Sequence, residues 1–170
     1  MTDRDPIAAA HEQWVDHGWS DAADGMALVT SLTRAHQLLV ERIEDSLRPH
    51  GLTFARFEVL RLLAFSRRRS MPMSRLGSLL QVHPTSVSSA VDRLEKQGLV
   101  ERLRLERDRR VVLASITTKG VEAVEAATAD LNARVFTSPG LAPDQVRCTT
   151  ELLTSLRQAH GDTVATRAQA

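Results

Sequence analysis

Four hydroxyls crowd into five consecutive positions at Thr85, Ser86, Ser88 and Ser89, and a short charged run follows at Arg107, Asp108, Arg109 and Arg110. Hydroxyls donate and accept single hydrogen bonds, and guanidiniums fork onto carboxylates or phosphates. That is the chemistry of recognising a polar, anionic surface. The formal net charge is only +1, yet residues 66–112 carry 11 Arg or Lys against five acids, while the remaining residues carry 11 against 16. Twenty of the 22 basic residues are arginine. Such a concentration is the footprint of a polyanion partner, and a solvated arginine-rich face accounts for it equally well on charge alone.

The elements around these residues decide how they are presented. With Pro84 at the first position of a helix, Val87, Ala90, Val91 and Leu94 share one side at 100 degrees per residue. Thr85, Ser88, Ser89, Asp92 and Lys96 point the other way, with Ser86 and Arg93 on the flank, and Gly98 stops the helix. The period then changes toward two. Residues 99–105 and 111–116 read as strands joined by the charged run 106–110, which has no Asn-Gly or Asp-Gly and so predicts a longer, flexible loop. Upstream, Ser74 is expected to cap a short helix over 75–80. Thr53 is expected to cap another, with Phe54, Phe57, Leu60 and Leu63 buried. Leu28, Leu32, Leu39, Ile43 and Leu47 form the stripe of a long helix that Pro49 and Gly51 stop. A first helix, from Pro6 to about His17, carries Ile7, Ala10 and Trp14 on one face and is expected to break at Gly18 and over the small, acidic stretch 20–25. Thr117 or Thr118 starts a helix with Val121, Val124, Leu131 and Val135 inside, and a last helix runs from Pro143 to about His160 after the break at 138–140.

Helix, helix, hydroxyl-faced helix and arginine-tipped hairpin, in that order, make a winged helix-turn-helix in a mainly α chain with a small two- or three-stranded β-wing. A recognition helix enters the major groove only if its leading face is not bulky, and arginines on an extended loop reach the narrow minor groove, where negative potential is strongest. The residues expected to touch DNA are Ser74, Arg75, Pro84, Thr85, Ser86, Ser88, Ser89, Arg93, Arg107, Asp108, Arg109 and Arg110, with Asp108 orienting a neighbouring guanidinium. The expected organisation is dimerisation helices over 1–50, a DNA-binding part over 51–117, further dimerisation helices over 118–160 and a disordered tail over 161–170.

Several runs carry a family resemblance. Gly51-Leu-Thr-x-x-x-Phe57-x-x-Leu60, then Val82-x-Pro-Thr-x-Val-Ser88-x-x-Val-x-Arg-Leu-Glu-x-x-Gly98-Leu-Val-Glu-Arg102, then Asp108-Arg-Arg and Ile116-Thr-x-x-Gly120 resemble the multiple-antibiotic-resistance regulator (MarR) family. The likeness spans most of Leu28 to Leu156. It implies a homodimeric winged-helix transcription factor, usually a repressor, that binds a palindromic operator on double-stranded DNA and is released by a small anionic or aromatic effector or by an oxidant. One departure is His83, where that family often has a serine cap. A narrower likeness, carried by Gln13-Trp14 and the added N-terminal helix, is to the urate-responsive branch. It implies a ligand site at Trp14, Glu58, Ala90 and Arg102, with Asp replaced by Glu and Arg by Ala at two of the four, so Trp14, Glu58 and Arg102 remain as ligand candidates. For Trp14 the competing reading is an apolar anchor for its helix. For Arg102 it is a phosphate contact or an ion pair with Glu101 or Glu58.

Other function classes find little support in the residues. No P-loop, nucleophile elbow, dinucleotide fingerprint or paired-carboxylate motif is present, so an enzyme has no candidate residues and no cofactor is implied. The six histidines show no His-x-x-x-His pair and no zinc spacing to Cys148, which sits in the expected last helix as an inert or partly buried thiol. No apolar run is long enough to span a bilayer and the first residues do not read as a secretory signal, from which a cytoplasmic protein with no membrane partner is expected. A constitutive DNA-architectural protein without an effector is the alternative function.

Overall fold

The computed structural model describes residues 4–105 and 108–162, with the backbone alone at 105 and 108–110. The expected wing-tip residues Glu106 and Arg107, and residues 163–170 of the expected tail, lie outside the described residues. By packing the chain divides into two units, residues 1–131 and 132–170.

The first unit opens with α1 (Pro6–Asp16), whose first turn is capped by Asp5 accepting from the Ile7 amide at 3.0 Å. Gly18 turns the chain at a φ of 92°, and α2 (Ser20–Leu47) begins two residues later. The stretch 20–25, expected as a break, is therefore helical. Asp21 sits in the first turn, where the helix dipole favours a carboxylate, and Ala23 is buried where α1 packs along α2. Those gains outweigh a mid-helix glycine at Gly25, which costs about 1 kcal/mol relative to alanine.

A 3-10 turn (Arg48–His50) and Gly51, at a φ of 65°, end the long helix. Thr53 then caps α3 (Phe54–Phe65), accepting from the Arg56 amide at 3.5 Å, while Glu44 accepts from the Phe54 amide at 2.9 Å and ties α3 to α2. Phe57, Val59, Leu60 and Leu63 are buried, with Phe54 at the margin.

After a turn in which Arg69 takes a φ of 52°, β1 (Ser70–Pro72) runs straight into α4 (Met73–Leu80). Ser74 does not cap this helix. Pro72, with an extended ψ of 139°, occupies the cap position without a side-chain bond, because the strand feeds the helix two residues earlier than expected. Gln81, at a φ of 54°, turns the chain toward α5 (Pro84–Lys96), and β2 (Val100–Leu105) and β3 (Asp108–Ile116) follow. The three strands form one antiparallel sheet in the order β1-β3-β2, with Met71 opposite Ala114 and Leu103 opposite Leu113.

Pairing extends to Leu105 opposite Asp108 across a register irregularity after Arg104, so Asp108, Arg109 and Arg110 belong to a strand and not to the long loop expected. A bulged ladder keeps backbone groups bonded where a free loop would leave them to water.

The exit from the sheet explains the Ile116-Thr-x-x-Gly120 run. The Thr117 hydroxyl donates to the Gly98 carbonyl at 2.9 Å and accepts from the Gly120 amide at 3.0 Å, capping α6 (Thr118–Leu131). A Cβ on Gly120 would lie 2.1 Å from the Leu99 carbonyl oxygen, so only glycine lets helix and strand approach this closely. Arg61 bridges α3 to α6, donating to Glu125 at 2.9 Å and to the Val124 carbonyl at 3.0 Å. The second unit holds a π-helical turn (Asn132–Phe136) and α7 (Pro143–Ala159).

Candidate nucleic-acid interface

The centre of the candidate surface is α5. His83, the residue that departs from the family pattern, still caps it: Nδ1 accepts from the Thr85 amide at 3.3 Å and lies 3.1 Å from Thr85 Oγ1. Val87, Val91 and Leu94 are buried and Ala90 half-buried, which fixes the rotation of the helix. Pro84, Thr85, Ser86, Ser88, Ser89 and Arg93 are consequently all exposed. Ser74 and Arg75 are exposed in the first turn of α4.

Two carboxylates on this surface would repel a phosphate, and both are answered. Arg102, reaching from β2, lies 2.5 Å from Asp92 Oδ1 and 2.8 Å from Glu95 Oε2, and its other terminal nitrogen donates to the Ser88 carbonyl at 3.4 Å. Partial burial works against the charge of this guanidinium, but the hydrogen bonds and fields of Asp92 and Glu95 prevail and hold its pKa above the ordinary arginine value. The ion pairs expected with Glu101 or Glu58 are thus replaced by pairs one helical turn apart on α5, because β2 runs beside that helix. Arg102 offsets one of these two negative charges and ties α5 to the sheet.

A concavity of about 420 Å³ lies between the start of α3 and the exposed face of α5, lined by Thr53, Arg56, Thr85, Ser86, Ser89 and Arg93 among others. Sequence reading missed Arg56. Its signal was available: a cation in the first turn of a helix opposes the helix dipole at a cost of roughly 0.3–1 kcal/mol, so such a residue has a reason other than helix stability to be there. Arg56 Nε donates to Thr53 Oγ1 at 3.1 Å, which holds the guanidinium beside the first turn of α3. Two guanidiniums and three exposed hydroxyls form a surface suited to phosphate oxygens.

The three ligand candidates lie on three different elements, Trp14 on α1, Glu58 on α3 and Arg102 on β2. Trp14, half-buried on α1, meets Trp19 edge-on at 5.3 Å between ring centroids. Glu58 is half-buried on α3, and burial raises its pKa above the usual carboxylate value. No hydrogen bond or ion pair among the described residues joins any two of Trp14, Glu58 and Arg102. Cys148 is exposed on α7 and not partly buried. His11 pairs with Asp24 at 2.9 Å and His50 with Asp130 at 2.7 Å, and no group of metal-binding side chains occurs among the described residues. No described helix is long and apolar enough to cross a membrane.

Comparison with known proteins agrees with this architecture. A family model described as MarR family matches residues 52–112. The chain is 33% identical over 124 residues to the uncharacterised HTH-type transcriptional regulator YkoM of Bacillus subtilis, covering 71% of this chain and 77% of that protein. Among solved structures it is similar to Sco5413, a MarR family transcriptional regulator from Streptomyces coelicolor, with 43% identity, a TM-score of 0.74 and coverage of 84% of this chain and 99% of that one. It is also similar to Sco3205, a MarR family regulator from the same organism solved in complex with DNA, at 25% identity and a TM-score of 0.73 over 83% of this chain and 90% of that one. The chain spans 65%, 61% and 66% of the lengths of three further curated relatives, each described as an HTH-type transcriptional regulator or repressor.

Proposed function

The chain belongs to the MarR family, and from that premise we propose that it is a sequence-specific, DNA-binding transcriptional regulator that grips a palindromic operator as a homodimer and represses by occluding it. It is a regulator and not an enzyme, in keeping with its relatives. The observation that carries the reading is the division of α5: a buried side of Val87, Val91 and Leu94 against an exposed side of Thr85, Ser86, Ser88, Ser89 and Arg93. Small hydroxyls let the helix approach base edges, while Arg93 and Arg56 take phosphates at the groove wall. Ser74, Arg75 and Pro84 meet the adjacent backbone, and Arg107, Arg109 and Arg110 extend the contact into the minor groove, with Asp108 orienting them.

Residues 51–117 are the DNA-binding part, and residues 1–50 and 118–160 supply the dimer contact. The support is the apolar surface that one chain leaves open on α2, where Leu28, Val29, Leu32, Leu38 and Leu39 are all exposed, and on α7, where Leu152 is 67% exposed. A small anionic or aromatic effector shifts the spacing of the two recognition helices, with a coupling of about 1–3 kcal/mol. The protein acts in the cytoplasm, with its DNA.

Selection of bound duplexes from a random pool tests the reading. Wild-type protein is expected to enrich an inverted repeat, and Ser86→Ala with Ser89→Ala is expected to change the consensus more than the total affinity. An identical consensus from both proteins removes α5 from the recognition role.

A further inference from the structure

Residues 59–91 contain Arg61, Arg67, Arg68, Arg69 and Arg75 and not one Asp or Glu. Of these arginines only Arg61 meets a carboxylate among the described residues, Glu125 at 2.9 Å. Arg67 and Arg68 are exposed on the turn between α3 and β1, whose backbone is well tied. The Arg69 amide donates to the Ser66 carbonyl at 2.9 Å, the Ile116 amide to the Arg69 carbonyl at 2.9 Å, and the Ser66 hydroxyl to the Leu63 carbonyl at 2.9 Å.

Beside this turn the surface is apolar. Leu62, Phe65, Met71 and Leu113 line an open hollow of about 730 Å³ between the end of α3, β1, α4 and β3, with Arg67 and Arg68 in its rim. Phe65 is 75% exposed, and the Arg61 guanidinium lies 4.9 Å from its ring centroid, which holds the ring at the mouth. An exposed apolar patch rimmed by charge marks a contact surface, and its two halves together select the occupant. A phosphate backbone would meet the guanidiniums but has nothing to place in the hollow. An extended chain would have to add to β1, the edge strand, which offers three residues and, at Pro72, no amide donor. A helix needs no sheet edge: its apolar residues at i, i+3 or i+4 and i+7 fill a hollow while acids on its flank reach the rim.

We propose that this surface docks an acidic amphipathic helix of another protein, its apolar stripe against Leu62, Phe65, Met71 and Leu113 and its carboxylates forked by Arg67 and Arg68. The turn stands far from the wing tip. Ser70 pairs with Ser115, at the end of β3 remote from Asp108 and roughly 20 Å from it at about 3.3 Å per residue. A copy seated on DNA still presents the turn, so the partner is one recruited to the DNA-bound regulator and not one that releases it. That recruitment, unlike the docking itself, rests on the DNA-binding reading.

The test is fluorescence anisotropy of a labelled peptide of about 15 residues, leucine and phenylalanine along one helical face and glutamate elsewhere, titrated with the full-length protein. The peptide is expected to bind, and one of the same composition with its stripe scrambled to bind at least about tenfold more weakly. Arg67→Glu with Arg68→Glu, both at exposed positions, is expected to weaken the acidic peptide at least about tenfold, to strengthen a peptide with lysine for each glutamate, and to leave the melting temperature unchanged. Phe65→Ala weakens the striped peptide and leaves the scrambled one unaffected. No binding of the acidic peptide by the wild type, equal binding of the scrambled peptide, or undiminished binding in the arginine variant overturns the docking surface. Displacement of the peptide by single-stranded oligothymidylate makes the surface a nucleic-acid one and overturns it too. With the protein saturated by duplex, peptide affinity is expected to stay within about twofold. Release of the peptide by duplex overturns the recruitment, an outcome separate from the binding measured without DNA.

Discussion

Helices α2 and α5 both present an open face, and the two faces are opposite in kind. On α5 the exposed side is short hydroxyls and Arg93, and the acids Asp92 and Glu95 are both paired with Arg102. On α2, residues 28–39 are all exposed, and they include Leu28, Val29, Leu32, Leu38 and Leu39. Water solvates the first face at little cost, whereas the second leaves several leucines exposed that would each gain about 1.5–3 kcal/mol by burial. On the proposed reading the two faces serve different partners. A polar, cationic, sterically low surface suits a polyanion, and a continuous apolar stripe suits a second copy of the same stripe across a two-fold axis.

Breaking the apolar side should have the largest effect. Leu32→Glu with Leu39→Glu is expected to weaken self-association by about 100-fold or more, read by sedimentation, and to lower duplex affinity with it. A variant that remains dimeric would assign the stripe to another partner.

Next in size is the packing that positions α5. Gly120→Ala is expected to destabilise the fold by about 2–3 kcal/mol in urea unfolding despite alanine's better helix propensity, because its Cβ meets the Leu99 carbonyl oxygen.

On the cationic side the expected effects are smaller and differ in kind. Arg56→Ala or Arg93→Ala should weaken binding to all duplexes and flatten the log-log salt dependence by about one counterion each, and Arg109→Ala or Arg110→Ala should do the same from the wing. A slope unchanged in the Arg56 variant would sever α3 from the interface.

The smallest effect is a pH dependence at Glu58. Because burial raises its folded pKa above the unfolded one, its carboxylate costs stability once pH rises through both values, and below both the cost vanishes. Glu58→Gln is therefore expected to raise the melting temperature at neutral pH and to lose that advantage in acid.

Periodicity and punctuation made most of this architecture legible in the sequence. Val87, Val91 and Leu94 define the buried side of α5 by spacing alone, and Thr53, Gly98 and Thr117 mark helix ends by chemistry that needs no tertiary context. What escaped reading depended on contacts between distant residues. The helicity of 20–25 rests on Ala23 packing against α1. The displaced cap at Ser74 follows from a strand, Ser70–Pro72, too short to show a period and present only because β3 pairs with it. The pairing of Arg102 with Asp92 and Glu95 needed the sheet to lie beside α5. Arg56 was legible in principle as a cation on the wrong end of a helix, and its meaning emerged only when α5 brought Ser86, Ser89 and Arg93 across from it.

Hydroxyl-radical footprinting on a duplex enriched by selection tests the central claim most directly, that two copies of α5 read DNA across a two-fold axis. Two symmetric protected patches are expected, their centres about 10 bp apart or a multiple of that, with minor-groove protection flanking each. A single unsymmetric patch, or no protection at low salt, would contradict that claim.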